Sequence, residues 1–392
     1  MIGTKVENIG NTSQLLVLKY HALAAALAAA AVLLWVSVPF HAAEPLPAQI
    51  SDEAFWKMVT DLSEPDGSFK WENFVSNELS YQYVLPRLVR TVQPGGAYLG
   101  VGPEQNFTYI AALKPKIAFI IDIRRQNMIE LLMYKSLFEL ADTRADFLSM
   151  LFARKRPEGL ADRSTPEELF TAFARVSSDG DLQKQSTQAI KDLLTKKHGF
   201  ALRSADLSGN SSIEYIYSVF VQNGPSLDYS IGGAGSGGGN PSFEALMKID
   251  DGFGTKWSFL ANEENYRFVR DMERKNIIVP LVGDFAGPKT IRGIGEYLKN
   301  HQAVVNTFYV SNVETYLFRE SMAGDFYNNV ATLPLESSST FIRTDIRPEG
   351  DISIYLNKGF KFIPTFSSIP GLVEEFKAGR VNKEEDLRKL SQ

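Results

Sequence analysis

The chain has 392 residues, 44% of them hydrophobic and 22% charged, with a formal net charge of -5. That is globular composition, enough for one large domain or two small ones. Lys and Arg are scattered among Asp and Glu with no basic stripe, which argues against a nucleic-acid partner. Cysteine is absent, which excludes disulfides, thiolate zinc sites and a cysteine nucleophile. Of the four histidines, His21 and His41 flank an apolar run, so His198 and His301 alone remain and no multi-histidine metal centre is available.

Residues 22–40 (ALAAALAAAAVLLWVSVPF) are uncharged, preceded by Lys5 and Lys19 and followed by His41, Ala42 and Ala43. This is the layout of a signal peptide. At about 1.5 Å per residue the run also nearly covers a bilayer core of roughly 30 Å, so a membrane anchor is the alternative, ahead of a buried core helix. Either of the first two readings implies an exported chain, periplasmic, secreted or anchored, whose domain lies outside the cytoplasm and which meets a membrane only through that segment.

Residues 44–73 read as a helical segment over 52–62 followed by the turn Pro65, Asp66, Gly67. Asn77 and Glu78 read as a helix start. Residues 96–101 (GAYLGV) are short, apolar and bracketed by Pro94-Gly95 and Gly102-Pro103, which suits a buried parallel strand. Residues 117–123 (IAFIIDI) make a second strand, with a helical crossover over 107–113 between them and an apolar helix over 128–140 after.

Residues 142–210 are charge-rich and helical in pattern, with a capping signature over 164–168, and read as a helical insertion. Strands are expected again at 213–221, 277–282 and 304–310, the last two joined by a helix over 288–300. Edge strands at 339–346 and 352–355 and a charged helical tail over 370–392 complete the chain. The fold class is therefore α/β, a doubly wound, mostly parallel Rossmann-like sheet over 74–346, with a helical insertion and a C-terminal extension over 347–392.

In such a sheet ligands lie outside the carboxyl ends of the strands. At the first end, Gly100 and Gly102 fit G-x-G, and Glu104 and Asn106 open the following helix, whose N–H groups favour a polar or anionic group. Asp122 stands about 20 residues beyond Gly102, where an acid can bind a ribose diol; the alternative is a pair with Arg124 or Arg125, or a helix cap. Asp284, in the bracket Gly283 to Gly287, suits contact with a ligand, against a helix N-cap. Asn312, Glu314 and Tyr316 cluster after the last parallel strand.

Residues 74–81 and 259–266 share F-h-x-N-E-x-x-Y, read as a repeated capping device or as a polar rim around a ligand. The glycine-rich loop over 230–240 lacks the Lys-Ser/Thr of a P-loop and reads as a linker or lid. His198 and His301 look like helix C-termini. No G-x-S-x-G, H-E-x-x-H or paired-acid glycosidase signature is present.

The segments 96–110, 121–124, 282–287 and 309–314 together resemble a widespread, largely uncharacterised bacterial family. Its core is similar to that of S-adenosylmethionine-dependent methyltransferases, over roughly residues 74–346. The resemblance implies that Gly100 and Gly102 form the turn beneath S-adenosylmethionine, that Asp122 binds its ribose, and that Asp284 faces the methionine or substrate end. Gly100 stands where an acid is common in that turn, and Glu104 where a second close-contact glycine is expected.

The expected function is a methyltransferase-like enzyme with S-adenosylmethionine as cofactor, no metal, and a small-molecule ligand as partner. Cofactor contacts are expected from Gly100, Gly102, Glu104, Asn106 and Asp122, and acceptor handling from Asp284, Asn312 and Glu314. The alternatives are a non-catalytic binding protein for a nucleoside-like or other small polar ligand in the same cleft, and an interaction protein using the helical insertion.

Overall fold

The structure is a computed structural model and describes residues 44–229, 240–345, 355 and 358–391. The apolar run 22–40 and the glycine-rich stretch 230–239 lie outside these residues. Among the described residues no helix is long and apolar enough to cross a membrane.

Among the described residues six strands form one sheet in the order β3-β2-β1-β4-β5-β6: β1 (Ala97–Val101), β2 (Ile117–Asp122), β3 (Ile278–Val282), β4 (Val305–Ser311), β5 (Leu335–Asp345) and β6 (Ile363–Ser368). The first five are parallel and β6 runs antiparallel to β5. β1, β2 and β3 are buried along nearly their whole length, which explains why they are continuous apolar runs with no alternation. Each edge strand carries a proline: Pro280 in β3 opposite Ile120, and Pro364 in β6 opposite Thr344.

From β1 the chain steps outward to β2 and β3 through helices Gln105–Leu113, Arg125–Leu140 and Glu263–Arg274. It then returns past β1 to β4 and β5 through Thr290–Asn300 and Ala323–Val330. Right-handed crossovers put these two helix sets on opposite faces. The order reverses between β1 and β4, and the carboxyl ends of those strands open there into a crevice.

The helix expected over 52–62 is Asp52–Leu62, capped by Ser51. The capping signature at 164–168 is a capping box on Thr165 and Glu168 that starts Pro166–Ala174. The region 142–210 also holds helices Arg144–Leu151, Gly180–Asp192, continued by a wider helical turn at Leu193–Lys197, and Ser204–Leu207.

Three expectations are overturned. Residues 213–221 are not a strand but part of helix Ile213–Asn223. Ser212 accepts the Tyr215 N–H at 3.2 Å, and Ile213, Ile216, Tyr217 and Phe220 are buried at helical spacing, so a cap and a buried stripe outweigh β-branched and aromatic propensity. Residues 339–346 are not at an edge: β5 pairs on both sides, and the edge is β6, whose run IPTFSS carries no strong signal. Asn77 and Glu78 do not begin a helix; regular structure starts with a single turn at Tyr81–Val84 followed by Leu85–Thr91. The strand expected at 352–355 falls on residues of which only Tyr355 is described.

Candidate functional site

A cleft of about 390 Å³ opens where the strand order reverses. Its floor is made at the ends of four parallel strands: Val101 and Gly102 at the end of β1, Asp122 and Ile123 at the end of β2, Asp284 and Phe285 after β3, and Tyr309, Ser311, Asn312 and Val313 at the end of β4. Residues 68–78 form one wall with Phe69, Lys70, Asn73, Val75 and Glu78, and Tyr229, Tyr316 and Leu317 close the other sides.

Gly102 has φ +78°, and a β-carbon there would meet nothing within 4 Å, so glycine serves the backbone conformation on the cleft floor. Gly100 serves packing behind the floor, where a β-carbon would fall 1.9 Å from Asn106 Oδ1. The fully buried Asn106 clamps the turn: its Nδ2 donates to the carbonyls of Val101 at 2.9 Å, Gly102 at 3.2 Å and Pro103 at 2.8 Å, and its Oδ1 accepts from the Tyr98 hydroxyl at 2.8 Å. Neither Gly100 nor Asn106 lines the cleft.

Glu104 is also behind the floor. Both its oxygens accept the Ser76 N–H, at 3.2 and 3.3 Å, and burial pushes its carboxyl up to about 8, so it is protonated at neutral pH and adds no negative charge beneath the turn.

Asp122 lines the cleft and is 6% exposed. It takes the reading that pairs it with Arg124: Nε and the backbone N–H of Arg124 each lie 2.9 Å from Oδ1, and Nη2 lies 2.8 Å from Oδ2. Arg124 Nη1 reaches past the pair to the carbonyls of Trp71 and Glu72, tying the wall segment to the end of β2.

Asp284 stands on the cleft wall with Oδ1 accepting the Ala286 N–H at 2.9 Å. It caps its own turn; the first N–H groups of helix Thr290–Asn300 are met instead by Glu64, which accepts from Lys289 at 2.7 Å and Thr290 at 3.0 Å. Asn312 also lines the cleft. Glu314 does not: it turns away into a buried ion pair with Arg343 and accepts the Tyr327 hydroxyl at 2.7 Å.

The groups not foreseen at the cleft are Tyr309 and Ser311 from β4, gathered around Glu78, which the shared F-h-x-N-E-x-x-Y pattern had pointed to only as one of two readings. Glu78 accepts from Tyr309 Oη at 3.0 Å, from Gln105 Nε2 at 3.1 Å and from Ser311 Oγ. Burial, then the charge of Glu78, holds the Tyr309 phenol well above its ordinary range, so it stays a donor. The two histidines lie elsewhere: His198 follows the turn 193–197 and bonds Asp52 at 2.8 Å and Glu139 at 3.0 Å, and His301 Nδ1 bonds the Tyr297 carbonyl at 2.8 Å.

Residues 73–161 and 242–361, more than half of the chain, match the model of a domain of unknown function, DUF7790. The chain belongs to the DUF7790 family. No curated protein matches it. The two matched stretches of the DUF7790 domain carry the whole strand-end floor of the cleft, with Asn73 to Glu78 on its wall, while Ser68, Phe69, Lys70 and Tyr229 lie outside them.

Proposed function

We propose that this DUF7790 domain binds S-adenosylmethionine in the switch-point cleft and transfers its methyl group to a small acceptor. The observation that carries the reading is the meeting of the Gly102 turn, with its left-handed backbone, and the Asp122 carboxylate on one crevice floor between β1 and β4. Two further features make the residues fit the group. The cleft has the volume of a ligand pocket with mixed apolar and polar walls, and the buried Glu104 is held neutral by its setting.

S-adenosylmethionine supplies a methyl group activated on a sulfonium. The chain would supply position and exclusion of water. Asp122, already oriented by Arg124, keeps lone pairs for a ribose diol, Gly102 allows close approach of the backbone, and Asp284 and Asn312 stand on the acceptor side. The turning away of Glu314 from the cleft into its ion pair with Arg343, which takes one expected acceptor-handling group out of the site, favours a second reading, a nucleoside-like ligand held without turnover.

Thermal denaturation of the full-length chain with S-adenosylmethionine, S-adenosylhomocysteine, NAD and adenosine tests the proposal. A ligand at about 100 times its Kd adds roughly 2.7 kcal/mol, a shift of a few degrees. The expected result is a shift with the two sulfur nucleosides that shrinks in Asp122→Asn. No shift with either overturns the reading. A shift with both, but no labelled methyl passed to any amine, hydroxyl or carboxyl acceptor, selects the second.

A further inference from the structure

Four buried carboxylates elsewhere in the chain lie against a cation: Asp122 against Arg124, Glu139 against Lys135, Glu263 against Arg144, and Glu314 against Arg343. Glu78 is 3% exposed and lines the cleft, yet its partners Gln105, Tyr309 and Ser311 are all neutral donors, and among the described residues no Lys, Arg or His pairs with it. A carboxylate removed from water is costly without a counter-charge, and apolar walls such as Val75 and Phe285 strengthen its field in the cleft.

The rest of the lining does not supply that charge. Lys70 is the one basic residue on the wall among the described residues, and its ammonium sits over the Trp71 ring, 4.4 Å from the centroid. Asp284 and Glu320 add further carboxylates to the lining, beside the Asp122 that Arg124 neutralises. At the tip of β4 the non-glycine Ser311 has φ 49°, a left-handed backbone held where its hydroxyl meets Glu78. The donors fix the orientation of the Glu78 carboxylate, whose four or so acceptor positions are not used up by three bonds.

We propose that Glu78 receives the positively charged group of the cleft's ligand, so that the β4 half of the site selects a small organic cation, an ammonium or a sulfonium. The charge has two sources, the sulfonium and ammonium of S-adenosylmethionine itself or an amine entering as the second substrate. Only the first rests on the nucleoside reading given above.

The test titrates the full-length chain by calorimetry with two series. One is S-adenosylmethionine, S-adenosylhomocysteine and adenosine; the other is ethylammonium against neutral ethanol. The expected result is a charge preference of about tenfold in Kd in at least one series, lost in Glu78→Gln while adenosine affinity stays within about twofold. Preference confined to the nucleoside series assigns the cation to the cofactor, and preference in the amine series assigns it to the second substrate. Amine binding with no nucleoside binding upholds this proposal and overturns methyl transfer. Equal affinity for charged and neutral members of both series in the unmodified chain overturns it, whatever adenosine does, and that comparison needs no variant to fold.

Discussion

Residues 74–81 and 259–266 share the order Phe, aliphatic, any, Asn, Glu, any, any, Tyr, yet only the second begins a helix. There Asn262 accepts the Asn265 N–H at 2.8 Å, Glu263 pairs with the buried Arg144, and Tyr266 donates to the Ala141 carbonyl at 3.0 Å. In the first, Ser76 stands where Ala261 does. Its N–H goes to Glu104 and its Oγ accepts the Glu78 N–H at 3.1 Å, closing a local loop in place of a helical turn. Pro86 would also fall inside any helix begun at Asn77, whereas no proline follows Asn262 until Pro280. One hydroxyl and one imino acid thus turn a capping code into a cleft wall, and the same glutamate becomes a structural ion in one place and a cleft-lining one in the other.

The contrast breaks most sharply under charge removal. Glu263→Gln leaves the guanidinium of Arg144 buried without its counter-ion and is expected to cost about 3 kcal/mol by urea denaturation, against less than about 1 kcal/mol for Glu78→Gln. Equal costs would refute the division of roles.

The next effect is a pH slope from the partner of Ser76. The Glu104 carboxyl is near 4.5 when unfolded and near 8 when folded, so the native state holds the extra proton between those values. Its contribution to stability is full below pH 4.5, declines by up to about 1.4 kcal/mol per pH unit as pH rises, and is gone above pH 8. Glu104→Gln, which cannot lose a proton, is expected to remove that decline when denaturation midpoints are compared across the window.

The smallest effect separates the two asparagines. Asn262→Ala removes an N-cap and is expected to cost about 1 kcal/mol, whereas Asn77→Ala removes no cap and is expected to stay within about 0.5 kcal/mol.

The centre of the sheet is readable because β1, β2 and β3 are apolar runs bounded by Gly, Pro or Asp, a pattern that burial on both faces enforces, while β4 carries the apolar stretch Phe308 to Val310. The helix at Ile213 was misread because Ile, Tyr and Val favour strands, although its buried spacing and Ser212 were both visible. At the cleft, strand-end logic led to Gly102, Asp122, Asp284 and Asn312, which line it. It also led to Gly100, Glu104, Asn106 and Glu314, which do not, because one or two residues' displacement at a strand end or helix start turns a side chain to the opposite side. Glu78 belongs to no strand end; it is carried to the cleft by a loop whose course depends on contacts with Glu104 and Ser311, distant in sequence.

Pro280 and Pro364 stand one on each outer strand of the sheet. Each withholds an N–H that a seventh strand, from this chain or another copy, would need in order to dock. The sheet therefore ends for a chemical reason on both sides: neither outer strand offers the unbroken row of N–H groups that edge-to-edge pairing of sheets requires.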